Sequence, residues 1–419
     1  MPTLSSPNGL TTKEEGVYEE LISVAQSRKS KGVEAPRVLV ITDLGKDYDD
    51  LGAMVVLKEL HRVGLIHLEG FITNMKPSRK RAILGRIILD LLGLKDIPIG
   101  VGTAGPVEYC EAFDYEFEAS FMPDEGTFTP NEGNFWADGL ELLHQVFTRA
   151  IKEERKVDLL LISPLPDIVK YAKLHPKIFR EGVGKIYMQG GYSVSAKGSL
   201  DPRKDAANNF DDMPAAVEFH ELMTKENIPS VVYTRIAAFA AKIPAEIFSD
   251  LEASQHPIGS YLRHCYVKQD VTFYKVACSP KPYKDITQER FLLTKTNFFE
   301  KHPPGPLRSL NGTPLPLDGT PLPEGDQIKP YLIFAVVYDA LPAFHVGGED
   351  IATAFGVLDA ESMASQTSIH KVVGTPKLRD DLPDIPNINP ERMVFALSTL
   401  LKGAFYNSIQ NTLGREVTR

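Results

Sequence analysis

The sequence predicts an α/β fold: an open, mostly parallel, twisted sheet with helices on both faces. Three observations carry that expectation. From Arg37 onward, short β-branched apolar runs alternate with helical stretches, mostly of ten residues or more, and such alternation builds βαβ units. The runs are continuously apolar, as in Val38-Leu39-Val40-Ile41, which is the texture of strands covered on both faces. With 419 residues, 43% of them hydrophobic and 24% charged, the chain can bury a large core.

The elements follow in order. Residues 1–35 are polar and charged, with a weakly helical patch near 14–28, and read as an N-terminal extension, partly disordered or packed on the surface. The domain proper is expected over 36–419. Strand 38–41 leads into helix 51–63, strand 68–73, helix 77–93 and strand 97–101. Helix 137–153, strand 159–162, helix 166–173, strand 185–188, helix 213–226 and strand 230–233 continue the pattern. Residues 279–330 break it with Pro303-Pro304-Gly305-Pro306 and repeated Thr-Pro-Leu-Pro-like pieces, so a proline-rich insertion or lid is expected there. Helical texture resumes at 331–343, and a last helix is expected at 390–407.

Charge and cysteine usage narrow the function classes. A net charge of −9 argues against a nucleic-acid partner, which needs a clustered basic face. Cys110, Cys265 and Cys278 form neither a disulfide framework nor a zinc signature, and suit a reducing compartment. No apolar run is long enough to span a bilayer, so no membrane partner is expected and a cytoplasmic address is the default.

The chemistry concentrates in Thr42-Asp43-Leu44-Gly45-Lys46-Asp47-Tyr48-Asp49-Asp50, at the exit of the first strand. Close carboxylate pairs repel by about 1 to 4 kcal/mol at surface-like dielectrics. Such a turn either splays into solvent or surrounds a hard divalent metal. The strand before it and the helix after it favour the metal, because ligands sit at the carboxyl ends of strands in open α/β sheets.

At this point the residues resemble the inosine-uridine-preferring nucleoside hydrolase family. Its strand runs into an Asp-x-Asp-Pro-Gly-x-Asp-Asp turn. Here Thr42-Asp43-Leu44-Gly45 and Asp49-Asp50 match, while Ile41 stands at the first aspartate, Leu44 at the proline, and two extra residues lengthen the turn. Four further segments follow in the family's order: Phe71-Ile72-Thr73-Asn74, Leu161-Ile162-Ser163-Pro164-Leu165-Pro166-Asp167, Tyr187-Met188-Gln189-Gly190-Gly191 with Ala207-Asn208-Asn209-Phe210, and Val337-Tyr338-Asp339-Ala340-Leu341.

The resemblance implies a nucleoside hydrolase-like fold and calcium-dependent cleavage of an N-glycosidic bond in a ribonucleoside or related ribosyl compound. Asp43, Asp50, Asp339 and the Ile162 carbonyl would ligate Ca2+, and Asp43 would take the proton of the attacking water. Asp49, Asn74 and Asn209 would bind the ribose, with Asn208 standing in for a glutamate that is absent at Ala206 and Ala207. Tyr338 occupies the place of the histidine that protonates the leaving base in purine-cleaving members. With a pKa near 10, tyrosine is the poorer acid, though it can donate a hydrogen bond or stack on a base. Arg235 and Lys46 would pair with nearby aspartates or bind an anionic group of the ligand. His345 lies close after Asp339. The family commonly forms dimers or tetramers, so a homo-oligomer is a further expectation. Two other readings stand beside hydrolysis: a non-catalytic metal- and ligand-binding protein of the same fold, and a magnesium-dependent phosphohydrolase with Asp43 as nucleophile.

Overall fold

The computed structural model describes residues 5–106, 114–129, 133–195, 197–278, 298–299, 325–366, 368–377, 379 and 381–416. Its strands are β1 (Arg37–Thr42), β2 (His67–Thr73), β3 (Ile99–Val101), β4 (Phe135–Trp136), β5 (Val157–Ile162), β6 (Val183–Gln189), β7 (Tyr192–Val194), β8 (Leu200–Pro202), β9 (Ser230–Tyr233), β10 (Ile243–Pro244), β11 (Phe334–Ala335) and β12 (His370–Val373). Eight of them form one sheet in the order β12-β9-β6-β5-β1-β2-β3-β4. Every neighbouring pair in it is parallel. The open parallel sheet read from the sequence is the one observed.

From β1 the chain builds outward through β2, β3 and β4. It then returns to the other side of β1 for β5 and builds outward again through β6, β9 and β12. The order therefore reverses between β1 and β5, and the loops leaving those two strands diverge to opposite faces. That divergence opens a crevice at the carboxyl ends of the central strands.

β1 lies at the centre because its residues can be buried on both sides. Val38 and Val40 point into a core shared with helix Tyr48–Arg62, while Leu39 and Ile41 point into one shared with helix Gly139–Lys152. All four are at most 2% exposed. Burying an aliphatic side chain of this kind stabilises by about 1.5 to 3 kcal/mol.

The structure holds elements beyond those expected above, β4, β7, β8 and β10 among them, and four further features stand out. The N-terminal segment carries a 19-residue helix, Thr12–Ser30, closed by a capping box between Thr11 and Glu14. It is docked rather than loose: Tyr18 and Leu21 are fully buried, and Arg28 donates to the Leu65 carbonyl at 3.0 Å and pairs with Asp350. Its apolar stripe is narrow and interrupted, which is why its periodicity reads weakly. The 22-residue helix Pro257–Cys278 was not anticipated. In place of one helix over 331–343 there is a 3-10 turn Gly325–Tyr331, then β11, then a short helix Ala340–His345. The edge strand β12 comes late in the chain, from the short run Ile369-His370-Lys371-Val372-Val373, which was not among the expected strands. Of the proline-rich segment, residues 279–297 and 300–324 lie outside the described residues, as does Cys110. No helix among the described residues is long and apolar enough to cross a membrane.

Candidate functional site

β1 ends at Thr42, and the chain turns sharply before the first residues of helix Tyr48–Arg62. Gly45 sits at φ +93° with its Cα hydrogen facing Leu84, where a Cβ would come within 2.9 Å of Leu84 Cδ2. Fully buried Arg81 clamps the turn from below: Nη1 donates to the carbonyls of Asp43 and Leu44 at 3.1 Å each. Its other nitrogen, Nη2, donates to Glu116 at 2.7 Å. The turn places Asp43 at the end of β1 and Asp49 and Asp50 in the first helical turn, where the helix dipole favours negative charge.

The third carboxylate arrives from far along the chain. Asp339 precedes helix Ala340–His345, which packs against helix Tyr48–Arg62. The Val336 N–H donates to the Tyr48 hydroxyl at 3.1 Å and stitches the two segments together. Carboxylate oxygens of Asp49, Asp50 and Asp339 lie within 4.8 Å of one another, and all three residues are buried. Burial pushes each carboxyl well above the usual range, and the neighbouring aspartates push in the same direction. Only the Thr42 hydroxyl, donating to Asp50, pulls Asp50 back. A set of hard oxygens at this spacing fits a divalent cation such as calcium, whose ligands lie about 2.3 to 2.6 Å from the ion.

Asp43 sits beside this triad and makes a different contact. Lys46 Nζ is 2.9 Å from Asp43 Oδ2 and 3.0 Å from Asp211 Oδ2, with the lysine side chain only 8% exposed. The lengthened turn thus carries its own buried cation. Of the four expected ligand positions, Asp50 and Asp339 converge and Asp49 joins them. Ile162 ends β5 directly beside Thr42.

A cavity of about 730 Å³ opens over these residues, with Asp43, Asp49, Asp50, Ile162 and Asp339 among its lining. Tyr338 and Arg235 also line it. The Arg235 guanidinium lies over the Phe239 ring at 5.5 Å, and Phe239 meets Tyr338 edge-on at 6.0 Å. Burial pushes the Tyr338 hydroxyl up; Arg235 opposes the shift and Asp49 reinforces it. A second hollow of about 650 Å³ flanks helix Gly139–Lys152, away from the strand ends, and holds none of these residues.

Asn209 and Asn74, expected to bind the ribose, are not among the residues that line the cavity. Asn209 donates from Nδ2 to the carbonyls of Gly191 and Arg203, at 2.8 and 3.0 Å, and so pins the loop behind the wall. Its neighbour Asn208 lines the cavity and donates to Gln189 Oε1 at 3.0 Å. Adjacent residues on a helical turn point about 100° apart, so only one of the pair can face the ligand. Asn74 is fully buried; its Nδ2 donates to Asp167 at 2.9 Å and to the Pro164 carbonyl at 2.8 Å, tying the end of β2 to the loop after β5. His345 lies off the cavity, with Nδ1 3.0 Å from the Tyr233 hydroxyl. Sequence reasoning did not single out Arg203, Lys204, Phe273 or Gln269 as lining residues. Gln269, which bonds Asp47 and accepts from the Tyr48 N–H at 3.2 Å, sits on the unanticipated helix Pro257–Cys278.

Solved structures share this architecture. The type III effector protein XopQ, in a structure complexed with adenosine diphosphate ribose, is 20% identical with a TM-score of 0.69, over 94% of this chain and 100% of that one. A second effector protein is 19% identical with the same TM-score, over 94% and 99%. A purine-preferring ribonucleoside hydrolase from Gardnerella vaginalis is 11% identical with a TM-score of 0.51, over 88% and 99%. No family model matches the chain, and no curated protein matches it. The chain has the nucleoside hydrolase fold, reached with a widely divergent sequence.

Proposed function

We propose that this chain hydrolyses the N-glycosidic bond of a ribosyl compound, releasing base and ribose, with a divalent cation, calcium, held in the acidic cluster. The observation that carries the proposal is the meeting of Asp49, Asp50 and Asp339 beside Asp43 at the point where the strand order reverses. Asp50 and Asp339 would hold the cation, with Asp49, Asp43 and the Ile162 carbonyl beside it. When bound, calcium would supply Lewis acidity and a template for hydroxyl oxygens.

The chain's own groups do the rest. Asp43 accepts a proton from the attacking water, whose oxygen bonds to the anomeric carbon as the carbon–nitrogen bond breaks. The bonding electrons leave with the base, which takes a proton at nitrogen from solvent, while Asp43 returns its proton to solvent. The carboxylates under the ribose stabilise the oxocarbenium-like charge of the transition state. Tyr338, whose hydroxyl burial keeps protonated, donates a hydrogen bond toward the base rather than acting as a strong acid. Asn208 takes the ribose contact. Three scattered cysteines support a reducing, cytoplasmic setting, and self-association is part of the proposal by analogy of fold.

A second reading has its own support. The 2.9 Å ion pair between Lys46 and Asp43 occupies an oxygen of the carboxylate expected to take the proton. It favours a protein that binds a ribosyl ligand without turning it over. The complex of XopQ with adenosine diphosphate ribose supports ribosyl recognition on this fold under either reading.

The test is a panel of nucleosides, nucleoside 5′-monophosphates and phosphate esters, with reducing sugar and free phosphate assayed separately. Sugar release that disappears in Asp43→Ala supports hydrolysis. Phosphate release points instead to a phosphohydrolase, and silence with stoichiometric calcium bound points to the binding protein.

A further inference from the structure

The cavity carries cations as well as carboxylates. Asp43, Asp49, Asp50 and Asp339 form its floor together with Lys46, whereas Arg203, exposed Lys204 and Arg235 line its mouth alongside Asp205 and Asp384. These three cations are not equivalent. Arg203 is committed to Asp205, with Nε 2.8 Å from Oδ1 and Nη2 2.6 Å from Oδ2. Lys204 and Arg235 form no ion pair among the described residues.

Arg235 stands out because carboxylates crowd the same cavity. A half-buried guanidinium in such surroundings would ordinarily fold onto one of them, since fork-to-carboxylate pairing is its strongest contact. Here it rests over Phe239, whose ring also carries Lys242 at 5.6 Å, and Phe239 abuts Tyr338. A guanidinium over a ring keeps its N–H donors available to an oxygen ligand. Such donors in a ligand-sized cavity, with Lys204 also lining it, match the oxygens of a phosphate.

We infer that the mouth of the cavity is an anion subsite in which Arg235, with Lys204, takes a phosphate carried by the ligand whose ribose lies on the acidic floor. The preferred ligand class is then a phosphorylated ribosyl compound, not a free nucleoside. This rests on the preceding reading, in which the floor receives a ribose.

The experiment is calorimetric titration of the calcium-loaded protein with ribose and ribose 5-phosphate, adenosine and adenosine 5′-monophosphate, and adenosine diphosphate ribose. Each phosphorylated compound is expected to bind at least about tenfold more tightly than its unphosphorylated partner, as charge-assisted hydrogen bonds would give. The fifth compound separates a subsite for a terminal phosphate from one for a bridging diphosphate. In Arg235→Gln and in Lys204→Gln the ratio should fall, and in the double variant it should approach one. Lys152→Gln, in the hollow beside helix Gly139–Lys152, serves as a charge-matched control that keeps the ratio. Raising the salt should shrink the ratio in the wild-type chain, a readout that needs no variant. Equal affinity within each pair, or a preference that survives in the double variant, overturns the anion subsite while leaving ribose recognition intact. Failure of every compound to bind overturns both.

Discussion

Helix Tyr48–Arg62 buries acids at both ends, and the two ends treat them in opposite ways. At its C-terminal end Glu59 is fully buried and fully compensated. Lys58 Nζ lies 2.5 Å from Oε1, while Arg62 Nη2 and the Tyr18 hydroxyl each lie 2.8 Å from Oε2. Burial pushes this carboxyl up, but Lys58 and Arg62 more than offset it, and it ends below the usual range. At the N-terminal end Asp49 and Asp50 are buried against Asp339 with no ion pair of their own among the described residues, and all three carboxyls are pushed well up. Glu59, buried for structure, has its counter-charge beside it. A carboxylate buried without one destabilises the chain until something else supplies the charge, and that asymmetry marks the site end of the helix.

The largest expected effect tests the site end directly. Asp43→Asn should lower the rate of sugar release by about 10²- to 10⁴-fold, the usual weight of a general base. Melting temperature should stay within a degree or two. An unaltered rate would remove Asp43 from the chemistry.

The structural end should respond in stability. Glu59→Gln leaves buried Lys58 and half-buried Arg62 without their counter-ion and is expected to cost about 3 to 5 kcal/mol in urea unfolding. Asp50→Asn, at the other end, should raise stability in the presence of a chelator, because it removes a repelling charge. If both variants destabilise alike, the contrast between the ends is wrong. Calcium at a hundredfold excess over its dissociation constant should add about 2.7 kcal/mol to the wild-type chain and to Glu59→Gln, but not to Asp50→Asn.

The ends should also oppose each other in pH. Glu59 has a folded pKa below its unfolded value of 4.5. Its contribution is present above that value and is lost as pH falls through the folded pKa. Asp49, Asp50 and Asp339 have folded values above 3.8. Their contribution is present at low pH and is lost as pH rises through the folded values. Unfolding curves taken with a chelator should therefore show a loss toward high pH that calcium abolishes and Asp50→Asn reduces. The smallest effect belongs to Tyr338→Phe, which removes one hydrogen-bond donor and should slow turnover about two- to tenfold.

Much of the frame was legible because its signals are local. The apolar runs at β1, β2, β5, β6 and β9 and the turn at Asp43 to Asp50 need only neighbouring residues to be recognised. Asn208 and Asn209 were not separable, since their roles depend on the loop 191–203 that one of them holds. Asn74 lies where expected after β2, yet whether its amide meets a ligand or Asp167 is decided by a segment 93 residues away. The docked helix Thr12–Ser30 and the edge strand β12 gain their definition from partners at Asp350 and Tyr233.

The sequence by itself determined an open parallel sheet, an acidic turn at the end of its central strand and a distant aspartate to join it. Strand formation and turn chemistry are set by the order of adjacent side chains. Only the tertiary structure decided that Asp49 stands with Asp50 and Asp339 while Asp43 turns to Lys46. It also decided that Arg235 is held on an aromatic ring instead of a carboxylate. Those outcomes depend on which charges come within a few ångströms of one another in a low-dielectric cleft, and chain order does not encode that distance.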